Sequence, residues 1–184
     1  MAFYNRVAYR RAGDKIFAAM QPETKTCAEI SGGWGKTFGF KTYEDFHFPD
    51  HDICKGPFRD ARGRIRKYDV VMADQVWEHL DRPYAATKHV YQMLNKGGQF
   101  YICTPFYVRY HAFPVDCSRW SARGLTNLLI ECGFDEDKIE ADEWGNLECA
   151  RADCAKKWAK YNPEVNSLEN DPKFPIVAWA VGTK

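Results

Sequence analysis

Between Tyr68 and Phe106 the spacing of apolar residues changes period twice. Val70 to Ala73 is a continuous apolar run, the pattern of a short strand buried on both faces. Polar residues crowd in where that strand ends: Asp74, Gln75, Glu78 and His79. From Pro83 the apolar positions Ala86, Val90, Met93 and Leu94 recur at the three-and-four spacing of a helix, with proline pre-set for its first turn. Gly97 and Gly98 stop that helix, and Gln99 to Thr104 reads as a second strand before Pro105. Strand, helix and strand in this order make one β-α-β crossover, so the two strands are expected to be parallel and the connection right-handed. Ligands of such sheets sit outside the carboxyl ends of the strands. A site is therefore expected after Ala73 and after Thr104.

The flanking segments extend this pattern. Val7 to Met20 is predicted as a helix with Ala8, Ala12, Ile16 and Ala19 on one stripe, although Gly13 interrupts it. Thr26 to Ile30 should be the first strand, and Ser31, Gly32, Gly33 and Gly35 follow it. Glycines at a strand-to-helix turn let the backbone approach a ligand closely. Phe106 to Trp120 alternates polar groups with aromatics around one proline and fits no regular element. Loops of that kind carry function when a rigid strand presents them. Ser121 looks like an N-cap, with Leu125, Leu128, Leu129 and Cys132 on one face and Gly133 as the stop. Further on, Ala141 to Trp144 reads as a strand, Glu148 to Tyr161 as a helix, and Pro175 to Gly182 as a last strand.

The order of these pieces resembles the class I S-adenosylmethionine-dependent methyltransferases, of the type 11-like kind. The residues that carry the resemblance are Tyr68-Asp69-Val70-Val71, Val76-Trp77-Glu78-His79-Leu80, Met93 to Gly98, Thr104-Pro105-Phe106, and Gly124-Leu125 through Phe134. It implies an α/β fold: a Rossmann-like, mostly parallel sheet flanked by helices, with an antiparallel edge at the C-terminus, in one domain over residues 1–184. It also implies S-adenosyl-L-methionine as cofactor. In the family's first motif an acid precedes a Gly-x-Gly-x-Gly turn. Here Glu29 matches the acid, and Ser31, Gly32, Gly33 and Gly35 approximate the turn. Asp52 and Ile53 resemble the family's adenine-contacting loop. Asp74 and Gln75 are expected beside the methionine part of the cofactor.

The resemblance thins after the glycines. Lys36 to Asp50 is too short for the usual helix, strand, helix and strand. An abbreviated first half and a sheet of fewer than seven strands are therefore expected. Glu44 and Asp45 are the two acids able to accept the ribose hydroxyls, with Asp45 carried as the candidate.

Composition narrows the partners. A formal net charge of +1 gives no field drawing the chain to nucleic acid or membrane, so a small-molecule acceptor is expected. No apolar run approaches membrane-spanning length, and Met1 to Arg11 has no signal-peptide core. Seven cysteines without a Cys-x-x-Cys pair fit reduced thiols in a cytoplasmic protein. A homodimer is left open.

Over the acceptor, His111, Asp116 and Arg119 are the candidates to bind or deprotonate a substrate. Glu78-His79 also resembles small-RNA 2′-O-methyltransferases, which hold a metal with two glutamates and two histidines. Gln75 and Cys117 fall at two of those four positions, so no metal is expected. Two other readings stand beside methyl transfer: a non-catalytic methyltransferase-like subunit, and a different nucleotide-binding enzyme such as a dehydrogenase. Glu78-His79-Leu80 and Thr104-Pro105-Phe106 speak against the second.

Overall fold

In the computed structural model, which describes residues 2–155 and 158–184, six strands share one sheet. They are β1 (Thr26–Ile30), β2 (Thr42–Phe46), β3 (Tyr68–Asp74), β4 (Leu94–Pro105), β5 (Ile139–Trp144) and β6 (Val177–Thr183), in the spatial order β2-β1-β3-β4-β6-β5. The first four run parallel, while β6 is antiparallel to both β4 and β5, which gives the expected antiparallel edge. Central β3 buries Val70 to Ala73, and β4 buries Phe100 to Pro105 without a break. Edge strands β2 and β5 alternate half-buried and exposed positions, as strands with one partner do.

Four helices cover the sheet: α1 (Tyr4–Ala19), α2 (Pro83–Met93), α3 (Ala122–Glu131) and α4 (Leu147–Ala155). On one face, α2 and α3 pack on Ala28, Val71, Phe100 and Ile102. On the other, α1 and α4 pack on Cys27, Met72, Tyr101 and Val177. Helix α3 starts where its cap predicts, the Ser121 hydroxyl accepting from Gly124 N at 3.2 Å. It stops at Gly133, whose φ of +108° suits glycine.

Three predicted helices differ from those observed, and one of them, α2, ends at Met93, so that Leu94, Gly97 and Gly98 belong to β4 instead of ending the helix. Helix α1 begins before Val7, and its buried face is Tyr4, Asn5, Ala8, Tyr9, Gly13 and Phe17; of the predicted stripe Ala8 is buried, Ala12 and Ile16 pack at its margin and Ala19 is exposed. Its large rings Tyr4, Tyr9 and Phe17 are buried in the core, whereas Ala19 stays exposed. Gly13 belongs to that face because a Cβ there would come 2.3 Å from the indole of Trp34. The helix expected over Glu148 to Tyr161 is observed over Leu147–Ala155; residues 156–157 of that prediction lie outside the described residues, and Trp158 turns the chain with φ of +58°.

The first half is abbreviated as its length required. After β1 comes a single 3-10 turn, Gly35–Thr37, and then β2. Trp34, Phe38 and Phe40 pack around Phe17 of α1 along this stretch. Residues 47–67 form no named strand or helix among the described residues and are anchored by Ile53 and Phe58 in the core. The chain passes outward from β1 to β2, then returns across β1 to β3, so the winding reverses between β1 and β3. That reversal opens a crevice at their carboxyl ends, where a ligand is expected in sheets of this kind.

Candidate functional site

One wall of the crevice is the glycine turn, and its shape is set by Glu29. This carboxylate is fully buried and accepts from Gly33 N at 2.7 Å, Trp34 N at 3.0 Å, Gly35 N at 2.7 Å and the Tyr43 hydroxyl at 2.5 Å. Two glycines exist to admit it. A Cβ on Gly32 would come 1.8 Å from Glu29 Oε1, and one on Gly35 would come 2.8 Å from Oε2. Gly33 is different: among the described residues a Cβ there meets nothing within 4 Å. Packing within the chain thus gives no reason for glycine at 33. Ser31 precedes the turn in the left-handed region, φ +55°.

The structure separates the two acids of β2. Glu44 bonds to the Tyr68 hydroxyl at 2.7 Å and to Arg66 at 2.5 Å. Asp45 pairs in register with Glu29 and points with Tyr43 toward the glycine turn, 2.7 Å from Lys36 Nζ. The ammonium of Lys36 holds the Asp45 carboxyl below its ordinary range. Asp52 accepts from Cys54 N at 2.9 Å and keeps Lys55 at 3.5 Å, at the mouth of the 47–67 loop. Ile53 does not reach the crevice through its side chain, which is buried in the core under α2.

The other wall is the end of β3. Asp74 is nearly buried against α1, where the Tyr9 hydroxyl donates to Oδ2 at 3.2 Å and Arg10 lies at 3.5 Å. Its Oδ1 has no hydrogen-bond partner among the described residues. Burial pushes the Asp74 carboxyl up, and the arginines only partly offset this. Gln75 follows with φ of +60°, its N–H donating to the Cys103 carbonyl at 2.9 Å.

Beyond Gln75 the crevice widens into a cavity of about 510 Å³. Helix α1 contributes Asn5, Arg6 and Tyr9 to its lining, and a 3-10 turn after β3 contributes Glu78 and His79. His111, Phe113 and Trp158 close the far side. Glu78 is fully buried with both carboxylate oxygens lacking hydrogen-bond partners among the described residues; His79 Nε2, at 3.7 Å, is too far for one. Burial therefore pushes its carboxyl up to about 8.

Of the three acceptor-side candidates, His111 lines the cavity, whereas Asp116 and Arg119 do not. Those two form a two-pronged ion pair with each other, and Asp116 also accepts from the backbone N–H of His111 at 2.8 Å. Arg119 holds the Asp116 carboxyl below its usual range. Their place is structural: they shape the loop that presents His111. The same loop is tied to Glu78, whose carbonyl accepts from Cys117 N at 2.8 Å and Ser118 N at 3.3 Å. Cys117 turns its thiol toward Asp81 at 3.8 Å, away from the cavity. The residues from α1 went unread in the sequence. The large buried rings of α1, Tyr4, Tyr9 and Phe17, carried the signal, and Arg6 lies between the first two in the chain.

Comparison with known proteins bears on this arrangement. Residues 20–102 match the family model described as a methyltransferase domain. Among solved structures, a Thermotoga maritima S-adenosylmethionine-dependent methyltransferase, described as a possible histamine N-methyltransferase, superimposes with a TM-score of 0.60 at 14% identity. The alignment covers 97% of this chain and 92% of that one. A Mesorhizobium loti methyltransferase of the same dependence gives 0.56 at 16% identity, covering 92% of this chain and 96% of its own. One from Archaeoglobus fulgidus gives 0.56 at 13%, over 93% and 94%. No curated protein matches the sequence. Among the described residues no helix is long and apolar enough to cross a membrane.

Proposed function

We propose that this chain, which carries a methyltransferase domain match and has the class I methyltransferase fold, binds S-adenosyl-L-methionine across the β1 and β3 ends and methylates a small molecule in the adjoining cavity. The observation that carries this reading is Asp74 Oδ1, a buried acceptor without a hydrogen-bond partner among the described residues, set across the strand reversal from the open face of Gly33. A buried acceptor of that kind is costly unless a ligand satisfies it.

The residues suit the cofactor part by part. An α-amino acid carries an ammonium and a carboxylate; Asp74 accepts from the first, and the Arg6 guanidinium lining the cavity suits the second. Asp45 accepts ribose hydroxyls, and Asp52 marks the adenosine end. Gly33 leaves room for the ligand beside the turn that Glu29 holds. The cofactor supplies an electrophilic methyl group on a sulfonium. The protein's task is then to place the acceptor in line and exclude water, which accounts for most of the rate in such transfers.

Placement falls to the cavity. Phe113 and Trp158 give apolar walls, while His111, His79 and Gln75 give few, directed polar contacts, the mixture that small-molecule sites show. Asp116 and Arg119 act behind them by fixing the loop. Calorimetric titration with S-adenosylmethionine, S-adenosylhomocysteine and NAD tests the reading. Saturable binding of the first two and none of the third is expected. Binding of NAD alone, or of none, would contradict it.

A further inference from the structure

We propose that Glu78, His79 and His111 form a binding site for a divalent first-row transition-metal ion, with further coordination positions open to the cavity. The inference stands apart from cofactor binding and reverses the expectation drawn from sequence, in which Cys117 held the position of a ligand.

The geometry is that of three converging donors. One ligand atom from each residue lies within 4.8 Å of the others, so small side-chain rotations bring all three to bonding distance of one ion. Two imidazoles and a carboxylate on one side, with the opposite side free, suit iron, manganese, cobalt or zinc.

Each donor is prepared separately. Glu78 is fully buried with both oxygens unpartnered among the described residues, a costly placement for a carboxylate unless something positive meets it. His79 directs Nδ1 to the Val115 carbonyl. That contact assigns the proton to Nδ1 and leaves the Nε2 lone pair facing Glu78 at 3.7 Å. A metal-binding histidine is commonly oriented through its other nitrogen in this way. His111 meets His79 edge to face, with ring centroids 5.1 Å apart, and its own backbone is fixed by Asp116.

The two segments that carry the donors are also fastened to each other at the donors themselves. Cys117 N and Ser118 N donate to the carbonyl of Glu78, and Arg119 locks Asp116 under His111. An irregular loop is thereby held in register with a turn more than thirty residues before it. A protonated, buried Glu78 with no ion is the competing account, and it leaves the carboxyl O–H without an acceptor among the described residues.

The test uses the full chain, stripped with a chelator and titrated with Co²⁺ under visible absorption, then with Zn²⁺ and Mn²⁺ by calorimetry. One ion per chain is expected for at least one of the three, with ligand-field bands from Co²⁺. Glu78→Gln, which keeps the buried shape, and His111→Ala, on the surface loop, should each weaken binding about a hundredfold. His51→Ala, at a ring that meets Phe46 and Phe58 edge to face elsewhere, should leave it unchanged. Circular dichroism establishes that each variant is folded. No saturable binding of any of the three ions up to millimolar concentration would overturn the proposal. So would binding that persists undiminished in both folded variants.

Discussion

The Tyr43 hydroxyl donates a 2.5 Å hydrogen bond to Glu29, joining the end of β2 to the carboxylate that holds the glycine turn. Glu29 thus spends its acceptors on its own chain, and its first duty is to shape the turn. Tyr43→Phe is expected to cost about 1–2 kcal/mol in chemical denaturation, the worth of one such bond. Glu29→Ala should cost at least about 3 kcal/mol, since it strands buried N–H groups of Trp34 and Gly35. Equal costs for the two variants would show that the turn does not depend on the carboxylate.

The glycines divide by neighbour. Gly33→Val has open space for its side chain, so its melting temperature should stay near that of the wild type while S-adenosylmethionine affinity falls at least about tenfold, or 1.4 kcal/mol. Gly32→Ala drives a methyl into the Glu29 carboxylate and should lower stability as well. Differential scanning calorimetry paired with ligand titration separates the two effects. Unchanged affinity in a folded Gly33→Val protein would remove the glycine turn from the cofactor site.

Asp69 gives a pH-dependent prediction away from the site. Burial raises its carboxyl, but bonds from Thr26 and Asn95 outweigh that and hold it below its ordinary value. A carboxyl lowered in the folded state contributes stability above its unfolded pKa, about 3.9, and loses it as pH falls through the lower folded value. Asp69→Ala should therefore cost roughly 1.5–3 kcal/mol at neutral pH. The gap from the wild type should narrow below about pH 4. Urea denaturation across that range measures it, and a gap that widens in acid would contradict the assignment.

Arg119→Ala should loosen the loop that carries His111 without weakening the cofactor. Hydrogen exchange at the amides of His111 and Cys117 should accelerate at least about tenfold as the clamp on Asp116 is lost. Arg119→Lys should restore this in part, because an ammonium cannot reproduce the two-pronged contact. Unaltered exchange in Arg119→Ala would show that the loop is held by other means.

What the sequence revealed followed from local periodicity. The β3, α2 and β4 crossover, the Ser121 cap and the final strands are short-range patterns, and each forms close to where its residues predicted. Helix α1 was read only in part: Ala8, Ala12 and Ile16 do face the core, but the larger contacts are made by Tyr4, Tyr9 and Phe17, which the stripe left out. The 107–120 loop was the least legible part. Its conformation depends on tertiary hydrogen bonds to Glu78, and these bring His111 to the pair and send the Cys117 thiol to Asp81. No periodicity encodes that choice. Nor did it reveal which of Glu44 and Asp45 faces the crevice, a matter settled by the register of β2 on β1.

The most direct test of the central claim is a crystal structure of the protein with S-adenosylhomocysteine. The account predicts the ligand across the β1 and β3 ends, its amino group on Asp74, its ribose near Asp45, and its backbone approach at Gly33. Its sulfur should face the cavity between Gln75 and His111. A ligand bound elsewhere, or one that leaves Asp74 Oδ1 unpaired and Gly33 uncovered, would contradict it.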